Sequence, residues 1–217
     1  MNINALSASE LKSHLTQAWD SRLAGNRAHS RMMSYAREDA AKARSMVPPP
    51  KESGVMMMLF PEHNKWHTLF MLRPENQGVH SSQLSFPGGK KEMDDPSIMY
   101  TAIREAREEV GVVISESQII GSLSEVYIPP SHFLVQPFVA ILDQQPLWTP
   151  NADEVHELIK QPIDFFLMDG IIEMKEVFIP RYEQKLQVPS FNIQGKVLWG
   201  ATAMMIQEFR MLFGDLH

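Results

Sequence analysis

The stretch Met99-Tyr100-Thr101-Ala102-Ile103-Arg104-Glu105-Ala106-Arg107-Glu108-Glu109-Val110-Gly111 brings three glutamates within reach of one another. On a helical wheel of about 100° per residue, Glu105, Glu108 and Glu109 share an arc of about 100°. Met99, Ala102, Ile103, Ala106 and Val110 share another arc, on a different side. Carboxylates three and four residues apart repel by roughly 0.2–0.5 kcal/mol per pair. They also crowd the last turns, where the helix dipole disfavours negative charge. A divalent cation resolves this conflict. Hard cations take oxygen ligands, and Mg²⁺ is commonly held by one or two carboxylates plus substrate phosphates. The alternative is a solvated acidic face with Arg104 and Arg107 as counter-charges, the usual fate of a charge run. The surroundings favour the cation: a Gly88-Gly89 turn and a hairpin-like pair of segments precede the helix.

These carboxylates need elements to hold them. Asp95 reads as the helix N-cap with Pro96 at the first helical position, and Gly111 as the left-handed stop. Upstream, Val55–Phe60 and Trp66–Arg73 read as a strand hairpin across the polar turn Glu62-His63-Asn64-Lys65. The run Met56-Met57-Met58 is strand, not a metal cluster. Residues 74–83 form a polar loop, and Ser85-Phe86-Pro87-Gly88-Gly89 a tight turn. Downstream, Ile119–Val126 and Phe133–Leu142 read as strands, with Gln136-Pro137 marking a bulge or an edge. Val155–Gln161 reads as a further strand, and Pro162–Leu167 as a short helix. Glu173–Ile179 pairs with Lys185–Phe191, and Ala201–Phe213 forms a closing amphipathic helix. Near the N-terminus, Ser7 or Ser9 caps a helix carrying Leu11, Leu15 and Trp19. A second helix spans His29–Met46 and ends at Val47-Pro48-Pro49-Pro50. The pattern predicts an α/β (α+β) fold, a mixed sheet with helices on its faces. Residues 1–50 read as a helical extension and 51–217 as the main domain.

The chain has 217 residues, 44% of them hydrophobic, enough for a substantial core. A formal charge of −6 argues against a nucleic-acid partner. There is no cysteine, which excludes disulfides and thiolate metal sites. The N-terminus lacks the order of a signal peptide, and no apolar run approaches the ~20 residues of a membrane span. The expectation is a cytoplasmic protein with a small-molecule substrate and no membrane partner.

The segment from Gly88-Gly89 to Arg104-Glu105-Ala106-Arg107-Glu108-Glu109-Val110-Gly111-Val112 resembles the Nudix box. That pattern ends in Arg-Glu-U-x-Glu-Glu-x-Gly-U, with U aliphatic, and the chain matches it with Ala106 as the first U. The glycine half differs. Counting back from Arg104 places Lys90 and Pro96 at the family's Gly and Glu positions, so one extra residue lies between Gly89 and Arg104. Asp95 then stands in for the first glutamate. This longer spacing resembles the coenzyme A pyrophosphatase branch. So do Gln83-Leu84-Ser85-Phe86-Pro87-Gly88-Gly89, Ile128-Pro129-Pro130-Ser131 and Val197-Leu198-Trp199-Gly200-Ala201-Thr202-Ala203. Gly78 and Ser82 depart from the branch, which has Arg and Gly there.

The resemblance implies a Nudix fold and a Mg²⁺- or Mn²⁺-dependent pyrophosphohydrolase. It implies Glu105, Glu109 and Glu108 as carboxylate ligands, the Gly88 carbonyl as a further ligand, and Arg104 as the residue that orients the glutamates. Metal ions would supply charge relief and activate water. The general base is not readable: Glu154 and Glu157 are candidates beside the box glutamates. Arg73, Lys90 and Phe86 are candidates for substrate contact, Phe86 alternatively packing beneath the turn. His80 and His132 are lone loop histidines. The implied substrate is coenzyme A or an acyl derivative. ADP-ribose, nucleotide sugars or dinucleotides are the alternative, and a non-catalytic ligand-binding module is a third reading. A homodimer is expected by analogy only.

Overall fold

The run Val55–Phe60 lies at the centre of the molecule, in strand β1 (Lys51–Glu62). Met56, Met58 and Phe60 are buried in one core cluster, and Met57 and Leu59 in another. Both faces of β1 are therefore covered, which explains a continuous apolar run rather than an alternating one. The computed structural model describes residues 2–35, 37–74, 83–179 and 183–214. Strand β1 forms the expected hairpin with β2 (Lys65–Leu72). It also pairs with the short β4 (Gly88–Lys90), and runs parallel to β7 (Phe133–Ile141). Strand β3 (Leu84–Ser85) and β8 (Glu157–Pro162) flank β2, while β5 (Ile119–Ser122) and β6 (Val126–Ile128) flank β7. Among the described residues the result is an eight-stranded mixed sheet. The box helix α4 (Ile98–Val110) covers one face. The C-terminal helix α6 (Gly200–Met211) and the N-terminal helix α1 (Ala8–Arg22) contribute to the core on the other. A short helix α5 (Ile163–Phe166) follows β8. Strands β9 (Ile172–Ile179), β10 (Gln184–Ile193) and β11 (Lys196–Leu198) form a second, antiparallel sheet. Among the described residues no helix is long and apolar enough to cross a membrane.

One expectation is narrowed, and several change. Helix α1 is capped by Ser7, whose hydroxyl accepts from the Glu10 N–H while Glu10 returns the bond, so Ser7 rather than Ser9 starts it. The single helix expected over His29–Met46 is instead α2 (Asn26–His29), a 3₁₀ turn, and α3 (Ala40–Arg44). Asp39 accepts from the Lys42 N–H at 2.8 Å, so it starts a helix where helical continuity was expected. Pro137 lies in a central strand, not at an edge. Its missing N–H falls at the break where β7 changes partner, from β6 at Val135 to β5 at Phe138. Ser97, not Asp95, caps α4, accepting from the Tyr100 N–H at 3.4 Å.

Helix α6 is buried from Thr202 through Met211, not amphipathic as expected. The N-terminal segment packs on its outer side. The Glu208 carboxylate, fully buried, accepts from the Gly25 N–H at 2.6 Å and from the Ser124 N–H and hydroxyl at 2.8 and 2.6 Å. His29 Nε2 lies 3.3 Å away. Burial alone pushes a carboxyl up, but these donors outweigh it and hold Glu208 below the usual range.

Candidate active site

Helix α4 is rotated from its sequence-read orientation. Thr101, Ala102, Ala106, Glu109 and Val110 are buried, so Glu109 lies within the buried face rather than opposite it. Glycines permit this. A Cβ on Gly54 of β1 would lie 2.5 Å from the Ile98 carbonyl oxygen and 3.1 Å from the Ala102 nitrogen. A Cβ on Gly89 would collide with the Glu105 carboxylate. Strand β1 and helix α4 therefore approach at backbone distance, and the Gly89 turn lies directly against the Glu105 carboxylate.

Arg104 ties the start of the helix to its acidic end. Its Nε and Nη2 donate to the two Asp95 oxygens at 3.1 and 3.0 Å. Its Nη1 donates to Glu105 at 3.0 Å and Glu108 at 2.8 Å, and Nη2 also reaches the Lys90 carbonyl at 3.2 Å. Thr101 and the Glu92 N–H complete the Asp95 shell, each at 2.9 Å. The Arg104 guanidinium, with this help, lowers the Asp95 carboxyl to about 2. The residue expected to replace the first box glutamate is thus the bidentate partner of the box arginine.

The three glutamates diverge. Glu108 is 52% exposed and points to the outer side of the helix, held by Arg104. Glu105 and Glu109 line a cleft of about 380 Å³. Glu109 is 1% exposed, and its oxygens accept from the Gly88 N–H at 2.7 Å and Arg73 Nη2 at 3.2 Å. The same Nη2 donates to the Gly88 carbonyl at 2.9 Å, so Arg73 joins the two groups expected around a cation. Burial pushes the Glu109 carboxyl up to about 7. Arg73 and the Gly88 N–H offset this only in part, and the charges of Glu105 and Glu154 add to it. Burial also raises Glu105, against the pull of Arg104.

Glu154 lines the same cleft, whereas Glu157 lies outside it in an ion pair with Lys196 at 3.1 Å. The loop carrying Glu154 docks on the end of α4: the Thr149 and Asn151 N–H groups donate to the Val110 and Glu109 carbonyls at 3.0 and 2.9 Å. Lys90 lines the cleft as well. Phe86 is 1% exposed and stacks on Phe70 with centroids 5.1 Å apart, supporting the turn from beneath. His132 has Tyr127 Oη at 2.9 Å and the Pro48 carbonyl at 3.0 Å, so both ring nitrogens are engaged. Gly78, His80 and Ser82 lie outside the described residues. Among the described residues, no three His, Cys, Asp or Glu side chains converge as a complete cation cage.

The segments Gln83–Gly89, Ile128–Ser131 and Ala201–Thr202, far apart in sequence, converge on this cleft. The lining also includes Phe133, Val135 and Met205, which single-residue reasoning missed because each reads as ordinary core. Only their neighbourhood to recognisable segments marked them.

The family profile described as NUDIX domain matches residues 50–176, more than half of the chain. A Nudix hydrolase named NudL, from Pectobacterium atrosepticum, is 34% identical over 140 residues, covering 63% of this chain and 69% of that protein. The mitochondrial coenzyme A diphosphatase NUDT8 of Homo sapiens is 34% identical over 168 residues, 75% of this chain and 69% of that protein. The crystal structure of a MutT/nudix family protein from Enterococcus faecalis aligns with a TM-score of 0.50 over 76% of this chain and 61% of that one, at 16% identity. That likeness concerns the fold. The chain belongs to the NUDIX domain family and is a Nudix pyrophosphohydrolase.

Proposed function

We propose that the chain hydrolyses the pyrophosphate of coenzyme A or its acyl thioesters with Mg²⁺ or Mn²⁺, releasing 3′,5′-adenosine bisphosphate and 4′-phosphopantetheine. One observation carries the reading of the site: two carboxylates, one nearly fully buried, share a cleft with the Gly88 carbonyl, and their charge is incompletely compensated. That donor set suits a hard cation that keeps water and substrate phosphate among its ligands, rather than one enclosed by protein alone. Nudix hydrolases generally use divalent metal ions, and such an ion supplies charge relief on the phosphoryl oxygens together with water activation. Glu105, Glu109 and the Gly88 carbonyl would hold it, and Glu108 would act from the rim.

The chain's own residues have separable tasks. Arg104, anchored by Asp95, orients Glu105 and Glu108. Arg73 fixes the Gly88 carbonyl against Glu109. Lys90 attracts the anionic substrate. Glu154, which lines the cleft, would accept a proton from the attacking water; the water oxygen bonds to one phosphorus, the bond from that phosphorus to the bridging oxygen breaks, and the bridging oxygen leaves as part of the other phosphate. Phe86 acts from beneath the turn.

The likeness to a protein named as a coenzyme A diphosphatase, at 34% identity, favours coenzyme A over ADP-ribose, nucleotide sugars and dinucleotides. The test is product identification by mass from a panel of these compounds with Mg²⁺ or Mn²⁺. Coenzyme A turned over fastest, with the two named products, is the expected result. No turnover of coenzyme A beside rapid turnover of another member would overturn the substrate assignment.

A further inference from the structure

Two stretches carry a cap residue followed three places on by a glutamate, Ser7 with Glu10 and Asn151 with Glu154, and their hydrogen bonds differ. At the first, Glu10 turns back on its cap. It accepts from the Ser7 N–H at 2.8 Å and from the Ser7 hydroxyl at 2.7 Å. At the second, the backbone makes a similar turn. The Asn151 carbonyl accepts from the Glu154 and Val155 N–H groups at 3.1 and 2.8 Å, and Asn151 Oδ1 accepts from the Asp153 N–H at 3.1 Å. The Asn151 N–H, however, donates to the Glu109 carbonyl at 2.9 Å, one of the carbonyls that a helix end leaves open. Glu154 does not close on that N–H. Its carboxylate accepts instead from the Asn151 side-chain amide, Nδ2, at 3.1 Å, and among the described residues this is the one hydrogen bond it receives.

The backbone around Glu154 is fixed on both sides. Thr149 and Asn151 hold it to the end of α4, and the His156 N–H donates to the Leu72 carbonyl of β2 at 2.9 Å, with Val155 buried between them. The Glu154 side chain is exposed, so a fixed backbone does not by itself aim it. An untethered surface glutamate samples several rotamers. Asn151 narrows that choice. One residue thus holds the main chain of Glu109 with its N–H and the side chain of Glu154 with its amide.

We propose that Asn151 is a positioning residue for the hydrolysis: its amide holds the Glu154 carboxylate at the cleft, at a reach set by its own N–H on the Glu109 carbonyl. This rests on the reading above in taking Glu154 as the group that accepts the proton of the attacking water. Aiming a base raises kcat and leaves substrate binding as it is.

The test is a double-substitution cycle on the full chain with Mg²⁺, using whichever panel compound the wild type hydrolyses fastest. Asn151→Asp keeps the acceptor that caps the turn but replaces the donor with a like charge. It should lower kcat by about tenfold with KM within about twofold. Glu154→Gln should lower kcat by at least about 100-fold. Adding Asn151→Asp to Glu154→Gln should change kcat by less than about twofold, since the two act as one unit. Asn151→Ser caps the turn and restores a donor of the kind that Ser7 gives Glu10, so kcat should recover to within about threefold of wild type. A cap alone would serve equally with Asp or Ser. Mn²⁺ affinity, read by electron paramagnetic resonance, should agree within about threefold between wild type and Asn151→Asp, because the amide acts on Glu154 and not on the cation. Equal loss in the Asp and Ser variants, a full further loss in the Glu154→Gln background, or a fall in Mn²⁺ affinity that matches the fall in kcat overturns the proposal. Wild-type kcat in Asn151→Asp beside a large loss in Glu154→Gln overturns the positioning alone. Wild-type kcat in Glu154→Gln overturns the base assignment and the positioning with it.

Discussion

Glu109 and Glu208 are both buried carboxylates, and the protein treats them oppositely. Glu208 receives the Gly25 and Ser124 N–H groups, the Ser124 hydroxyl and His29, and its carboxyl is held low despite burial. Its charge is complete, and it fastens the N-terminal segment to α6. Glu109 receives one N–H and one guanidinium contact, and burial wins, raising it to about 7. A buried charge left short of partners costs stability. The difference separates a tether from a candidate site: the satisfied carboxylate is architecture, and the undersatisfied one is the one that the proposed cation would complete.

Substitution separates the two roles most sharply. Glu109→Gln should reduce turnover by roughly 1,000-fold, the scale of losing a main charge-stabilising group, while the melting temperature holds or rises. Glu208→Gln should do the reverse. It leaves buried donors poorly matched and should cost about 3 kcal/mol in denaturant unfolding, with turnover per folded molecule retained.

The pH dependence of stability, measured in chelator, should carry opposite signs. Between pH 4.5 and about 7 the folded state keeps a proton on Glu109 that the unfolded chain has lost. Stability from this group therefore falls as pH rises, by up to roughly 3 kcal/mol, and Glu109→Gln should flatten the slope. Glu208 is shifted downward from 4.5, so its contribution is present above that pH and is lost as pH falls below it. Glu208→Gln should remove that part of the acid loss. A smaller effect should follow Asp95→Asn, which strips Arg104 of its bidentate partner. We expect about tenfold lower kcat/KM from a poorly oriented Glu105, and about 1 kcal/mol of stability.

Much of the frame is legible in the sequence, for stated reasons. The hairpin of β1 and β2 and the helix stop at Gly111 follow from periodicity and punctuation, and the structure has them; the closing helix is present too, but buried all round rather than on one face. The carboxylate helix was legible because like charges at those spacings are unfavourable without a purpose. Its rotation was not. A wheel assumes that the helix buries its most apolar arc, whereas the close approach at Gly54 and Gly89 sets which arc is buried, and that depends on a strand distant in sequence. The differing burial of Glu105, Glu108 and Glu109 follows from this rotation, so spacing alone could not show it. The Asp39 cap and the partner change at Pro137 were missed because Asp and Pro each permit more than one local outcome, and tertiary pairing decides. Glu208 was invisible because its partners come from Gly25, His29 and Ser124, far along the chain.

The most direct test is a Mn²⁺ titration followed by electron paramagnetic resonance on wild type, Glu109→Gln and Glu208→Gln at pH 8. The account predicts saturable binding to the wild type, weakened by at least about tenfold in Glu109→Gln and unchanged in folded Glu208→Gln. Equal Mn²⁺ affinity in wild type and Glu109→Gln would contradict it.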